Sequence, residues 1–262
     1  MSISPPVRYR AAAAYVGTAF RGFQFQENAA RTVQAVLEEA LGVFSSAAVR
    51  VHAAGRTDAG VHADGQVIHF DLPRERDPAR IRDGVNSLLP PDVRLLAIAR
   101  APESFLARRD AVWKEYVYRW SRAEVIPPRD APFVAELASS ARVEPVRRAA
   151  ASLEGRHDFS AFGVRLPRGE SAVRRLHFVR IEESGGEIRA VFRGDAFLRG
   201  MVRSICGVLA HVARGKAPED RIARLLDEKD PRLLAPKAPA HGLTLSRVAY
   251  VDDPFGVTPD VE

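Results

Sequence analysis

Residues Ala53–Asp71 read AAGRTDAGVHADGQVIHFD. Gly55 and Gly60 bracket a polar triplet, Arg56-Thr57-Asp58, between two apolar runs. The runs AVRVHAA (48–54) and GQVIHFDL (65–72) are rich in β-branched and aromatic residues, so each predicts a strand. Glycine lets the joining chain turn sharply and lets a bulky ligand approach the backbone. A carboxylate held at such a turn can serve as nucleophile or base, and a neighbouring cation would keep it ionised at neutral pH. A turn aspartate can equally hydrogen-bond its own backbone. Spacing alone leaves both readings open.

Outward from that stretch, VRYRAAAAYVG (7–17) predicts a strand and GTAFRGFQFQENAA (17–30) a loop with aromatics. In TVQAVLEEALG, Thr32 suits an N-cap and Val33, Val36, Leu37, Ala40 and Leu41 form one helical face, with Gly42 as the expected stop. Residues 78–102 add a helix, a Pro-Pro turn and a strand, so residues 1–105 read β-α-β-β-α-β. The remainder, 106–262, has a similar order. WKEYVYRW (113–120) alternates as a strand, PVRRAAASLEG predicts a helix, and two strands flank Gly185-Gly186. Phe197, Met201, Ile205 and Leu209 predict a long helix over 196–215, capped by Asp195 and stopped by Gly215, and a last helix covers 218–228. Without regular βαβ spacing, the pattern is α+β: a mixed or antiparallel sheet with flanking helices, in two similar subdomains around a cleft, divided near residue 105.

The 262 residues carry a formal net charge of +6, and only Lys114, Lys216, Lys229 and Lys237 of the 39 basic residues are lysine. Arginine forks match phosphate oxygens and stack on bases, so a polyanionic partner fits; arginine-rich coding bias gives the same composition. No apolar run approaches the roughly 20 residues of a membrane span. Cys206 is the only cysteine, which excludes an internal disulfide and a cysteine-based zinc cage. A cytoplasmic protein is expected. His52, His62 and His69, with Asp58 and Asp64, match no metal-ligand spacing, and no calcium loop, phosphate loop, dinucleotide fingerprint or nucleophile elbow is present. Arg199 and Arg203, four apart, are expected on one face of the long helix, either solvated or facing an anion. Tyr116 in KEYVY suits a core strand or a stacking platform, and FLARRD (105–110) suits solvent or an RNA backbone.

Taken together these segments resemble the TruA-type tRNA pseudouridine synthases. AGRTDAGVHADGQVIHF carries the family signature. YVGTAFRGFQFQ, TVQAVLEEAL, GVNSLLPPDV, FLARRDAVWKEYVYRW, GRHDFSAF, DAFLRGMVRSICGVL and APAHGL follow in family order, covering roughly residues 9–250. Phe23 stands where the family often has Trp, and Leu106 and Arg109 stand in place of the commoner His and Phe. The resemblance implies cofactor-free, metal-free isomerisation of uridine to pseudouridine at positions 38–40 of the tRNA anticodon arm, by a homodimer that flips the base. It implies Asp58 as the catalytic aspartate and Arg203 as its partner. Tyr116 would stack on the uracil and Arg56 would fill the vacated space. Phe105, Arg108 and Arg199 would contact RNA. The competing readings are a same-fold synthase with another RNA target, a non-catalytic tRNA-binding protein, and a metal-dependent hydrolase using His52, His62 and His69.

Overall fold

The computed structural model describes residues 5–28, 31–163 and 169–256. The last two residues of the loop expected over 17–30 lie outside them. The chain forms two compact units, Met1–Val112 with Leu245–Glu262, and Trp113–Thr244.

In the first unit the chain order is β1 (Val7–Tyr15), α1 (Val33–Ser45), β2 (His52–Ala53), β3 (His62–Leu72), α2 (Pro78–Leu88) and β4 (Val93–Arg100). β1 lies between β3 and β4 and is antiparallel to both. Four consecutive alanines would favour a helix by propensity, but ladders on both sides override it. Tyr9, Ala11, Ala13 and Tyr15 point into the core at period two. Tyr9 stacks on Phe70, its partner across the β1–β3 ladder. On the opposite face Arg8 forks onto Asp71 with two 2.8 Å bonds.

Thr32 caps α1, its hydroxyl accepting the Ala35 N–H at 3.3 Å, and Val33, Leu37, Ala40 and Leu41 are buried while Val36 is half-buried. The helix does not stop at Gly42. It runs to Ser45 and ends on Ser46, which takes the left-handed conformation at φ 55° so that the Ala47 N–H reaches the Gly42 carbonyl. The strand expected over 48–54 contracts to two residues, and β3 starts at His62, inside the expected loop. α2 begins on an Asp77 cap with Pro78 in its first turn.

The second unit contains β5 (Trp113–Ser121), β6 (Ala135–Glu136), α3 (Val143–Ala151), β7 (Gly155–Asp158), β8 (Val173–Ser184), β9 (Glu187–Gly194), α4 (Met201–Ala213) and α5 (Arg221–Glu228). Its strands run in the order β5-β9-β8-β7, each antiparallel to the next, and β6 pairs in parallel with β5, which makes the sheet mixed. Gly185 and Gly186, at φ 58° and 81°, supply the two positive-φ positions of a tight β8–β9 hairpin. α3 packs on β8 and α4, and α5 packs on α3 and α4.

The long helix is shorter than its periodicity suggests. α4 starts at Met201 after Gly200 at φ 74°, six residues beyond Asp195. Asp195 therefore caps nothing and instead meets the His177 ring at 2.5 Å. Gly215 does close the helix. Its N–H reaches the Val212 carbonyl while the Lys216 N–H reaches that of His211. A last strand, β10 (Leu243–Ala249), returns to the first unit and lies beside β3. The division by contact thus falls at residue 112 and includes this return, rather than at 105 with everything after it.

Candidate active site

The Gly55–Val61 loop is fixed from several sides. The Gln66 side chain, fully buried on β3, donates from Nε2 to the Gly55 carbonyl at 2.7 Å and accepts the Gly55 N–H on Oε1 at 3.4 Å. The Tyr15 and Thr57 hydroxyls bond at 2.8 Å inside the core. Burial pushes the Tyr15 phenol up to about 12, against the hydrogen bonds from Thr57 and Gln66. The Thr57 carbonyl accepts the Phe23 N–H at 3.1 Å. Gly22, at φ 97°, passes so close that a Cβ there would sit 3.0 Å from the Thr57 carbonyl oxygen. The Asp58 carbonyl accepts the Val61 N–H, and Gly60 at φ 81° supplies the positive-φ corner. Arg56 is exposed, Thr57 buried and Asp58 half-buried. The buried Thr57 hydroxyl holds the backbone between an exposed guanidinium at Arg56 and a half-buried carboxylate at Asp58.

The Phe105–Asp110 segment is equally ordered. The Ala107 N–H donates to His69 Nδ1 at 3.1 Å, and its carbonyl accepts the Tyr250 hydroxyl at 2.6 Å. Arg8 donates to the Phe105 carbonyl. Asp110 accepts the Leu106 N–H and pairs with Arg109, which together hold its carboxyl below the usual range. Arg108 is exposed. Phe105, expected against RNA, is buried between the Arg10 guanidinium and the rings of His69 and Tyr250. Its ring anchors the segment that presents Arg108.

In the second unit Tyr116 is buried on β5, edge-on to Phe197 at 5.0 Å. Arg203 occupies the first turn of α4, half-buried, its Nε donating to the Ala238 carbonyl at 3.0 Å, while the Ala238 N–H donates back to the Arg203 carbonyl at 3.0 Å. Arg199 does not share its helical face. It lies in the turn before Gly200, exposed, because α4 has not begun there.

The histidines take other parts. His62 Nδ1 accepts the Gly17 N–H at 3.0 Å. His69 lies across from His52 on the β2–β3 ladder and stacks on it at 4.8 Å. Burial above all, then His52 and Arg8, lowers the His69 pKa to about 4. With Nδ1 occupied on His62 and His69, neither of these rings offers that lone pair to an ion. Among the described residues no three His, Cys, Asp or Glu side chains group to hold a metal, and no helix is long and apolar enough to cross a membrane.

Residues 11–110 and 149–251 match the family described as tRNA pseudouridine synthase. The tRNA pseudouridine synthase A of Myxococcus xanthus is 40% identical over 246 residues, 94% of this chain and 92% of that protein. That of Methylobacterium nodulans is 40% identical over 244 residues, covering 93% and 96%. That of Lactiplantibacillus plantarum is 38% identical over 248, covering 93% and 94%. An α+β fold matched over these segments defines the class, an isomerase that acts on RNA. The chain belongs to the tRNA pseudouridine synthase family, whose members convert uridine to pseudouridine in tRNA.

Proposed function

We propose that this enzyme acts on uridines 38–40 of the anticodon arm, with Asp58 as its catalytic carboxylate. The observation that carries this reading is the Arg56-Thr57-Asp58 loop, whose backbone is fixed by Gln66, Tyr15 and Phe23 while the flanking side chains stay outside the core. Isomerisation breaks the N1–C1′ bond, turns the base and joins C5 to C1′. C5 loses a proton and N1 gains one, so atoms and electrons balance without a cofactor. Asp58 attacks the substrate or takes a proton from the sugar, and the family resemblance assigns Arg203 as the second catalytic group.

A uridine in a stem is out of reach, so it must be extruded at a cost of a few kcal/mol. Arg56, exposed on the same loop, offsets part of this by occupying the gap. Tyr116 supplies a face for the uracil, a contact worth about 1–3 kcal/mol. Arg108 and Arg199, both exposed, meet phosphates, which position rather than specify. The reading includes a homodimer working in the cytoplasm.

Mapping pseudouridine in tRNA from cells with and without this protein tests the target positions. Asp58→Asn tests the chemistry: tRNA binding should persist while turnover disappears. Turnover near that of the wild type would reject Asp58 as the catalyst.

A further inference from the structure

The segment Ala19–Gln26, AFRGFQFQ, holds three phenylalanines with different fates. Phe20 and Phe23 are buried, whereas Phe25 is 47% exposed. A single exposed apolar side chain is ordinary on a protein surface. This one differs in how firmly its backbone is held. The Phe25 N–H donates to Gln34 Oε1 at 2.8 Å, and Gln34 Nε2 donates in turn to Glu38 at 2.8 Å and to the Val51 carbonyl at 3.2 Å. Gln26 Nε2 reaches back to the Arg21 carbonyl at 3.0 Å. The Arg21 N–H donates to the Arg31 carbonyl, and the Gln34 N–H to that of Phe23. A loop tied down at this many points presents its phenyl ring in a set place at little further cost in conformational freedom on binding.

That place is close to the Asp58 loop. The Phe23 N–H is bonded to the Thr57 carbonyl, and two residues of chain span at most about 7 Å. Phe25 is therefore within a nucleotide or two of a uridine seated at Asp58. Its neighbours Arg21, Gln24 and Gln26 are exposed, as is Arg56. Guanidiniums for phosphate and amides for base edges around one rigid aromatic ring suit an unstacked nucleotide, because every base offers a π-face.

We propose that Phe25 is a positioning residue that stacks on a nucleotide flanking the extruded uridine. This rests on the assignment of Asp58. Holding the neighbour fixes the strand on one side of the gap, so the uridine leaves the stack without carrying its neighbour along. Arg56 and Phe25 then act on the same strand, one at the vacated position and one beside it.

The test compares Phe25→Ala, Phe25→Leu and Phe25→Trp with the wild type on full-length substrate tRNA. Alanine and leucine should each weaken tRNA affinity about tenfold, the loss of one base stack, with the thermal midpoint unchanged. Tryptophan should restore affinity. In an Asp58→Asn background, the indole added by Phe25→Trp should be quenched when tRNA binds, over the signal of the buried Trp113 and Trp120. Leucine serving as well as phenylalanine, or an indole insensitive to tRNA, would overturn stacking while leaving Asp58 in place. Full turnover by Asp58→Asn would remove both the reading beneath and this inference.

Discussion

Gln66 closes on both polar backbone groups of Gly55, its Nε2 2.7 Å from the carbonyl oxygen and its Oε1 3.4 Å from the amide nitrogen. The same Nε2 lies 3.4 Å from the Tyr15 hydroxyl, which bonds Thr57. One buried amide thus ties the start of the Asp58 loop to the sheet and to the hydroxyl pair beneath it. Replacing it with leucine keeps the volume and leaves the Gly55 groups without that partner, at about 1–3 kcal/mol. Gln66→Leu should therefore lower the denaturant midpoint and reduce kcat more than it raises KM. Steady-state kinetics beside a urea titration checks this, and a pure KM effect would place the clamp outside catalysis.

Tyr15 and Thr57 form a pair whose worth a double-mutant cycle can isolate. Tyr15→Phe takes from the Thr57 hydroxyl its 2.8 Å partner, and Thr57→Val leaves the Tyr15 hydroxyl only the longer 3.4 Å bond from Gln66, whereas removing both leaves apolar groups of nearly the same shape. The double variant should be less destabilised than the sum of the singles by about 1 kcal/mol. Additive losses in urea titrations would mean that each hydroxyl is satisfied elsewhere.

Arg203 and Arg199 should fail differently. Arg203 donates its Nε to the Ala238 carbonyl from the first turn of α4, which fixes that edge of its fork. Lysine reproduces the charge without the fork. Arg203→Lys and Arg203→Ala should both abolish the chemical step in single turnover. Arg199→Ala, in an exposed turn, should weaken tRNA binding and lower the slope of log K against log salt by about one. Equal loss of the chemical step in both would merge the two roles.

Acid should destabilise the fold through His69. Its folded pKa is lowered to about 4, so the folded state keeps the ring neutral where the unfolded chain, near 6.5, begins to bind a proton. The contribution is complete above about 6.5 and is lost as pH falls toward 4. Burial is the leading cause, and the Ala107 N–H bonded to Nδ1 also requires an unprotonated nitrogen. Thermal melts between pH 7 and 4 should show this limb in the wild type and a flatter one in His69→Gln. An unchanged limb would assign it to other groups.

The sequence shows best what depends on short-range chemistry. The Thr32 cap, the Gly185-Gly186 hairpin and the alternation of β5 are each set by residues within a few positions of one another. The α4 start was hidden because its apolar period continues back through Phe197, while Gly200 in the left-handed region breaks the backbone without breaking the pattern. That break moves Arg199 off the Arg203 face. Gln66, Tyr15 and Ala238 give no sign in the sequence of holding Gly55, Thr57 and Arg203, since these partners lie 11, 42 and 35 residues away. Phe105 likewise appears surface-bound from FLARRD, yet Arg10, His69 and Tyr250 close over it from three other segments. The return of β10 to the first unit is set by long-range pairing alone.

Gly207 links helix stability to the Arg203 side chain in a way that a propensity scale would misjudge. It sits inside α4, where alanine is better than glycine by about 1 kcal/mol. Here a Cβ would fall 2.2 Å from the Pro236 carbonyl oxygen. Backbone cannot yield as a side-chain tip would, so the 236–238 segment must shift. Ala238 sits at its end and exchanges two 3.0 Å bonds with Arg203, one through each residue's carbonyl. Gly207→Ala should therefore destabilise by about 1–3 kcal/mol despite the better helix former. It should also lower kcat toward the loss seen for Arg203 variants, because the guanidinium loses its fixed edge. Stability equal to wild type with reduced kcat would still locate the effect at the Ala238–Arg203 exchange. Unchanged stability and unchanged kcat together would show that the segment moves freely and that Arg203 does not depend on it.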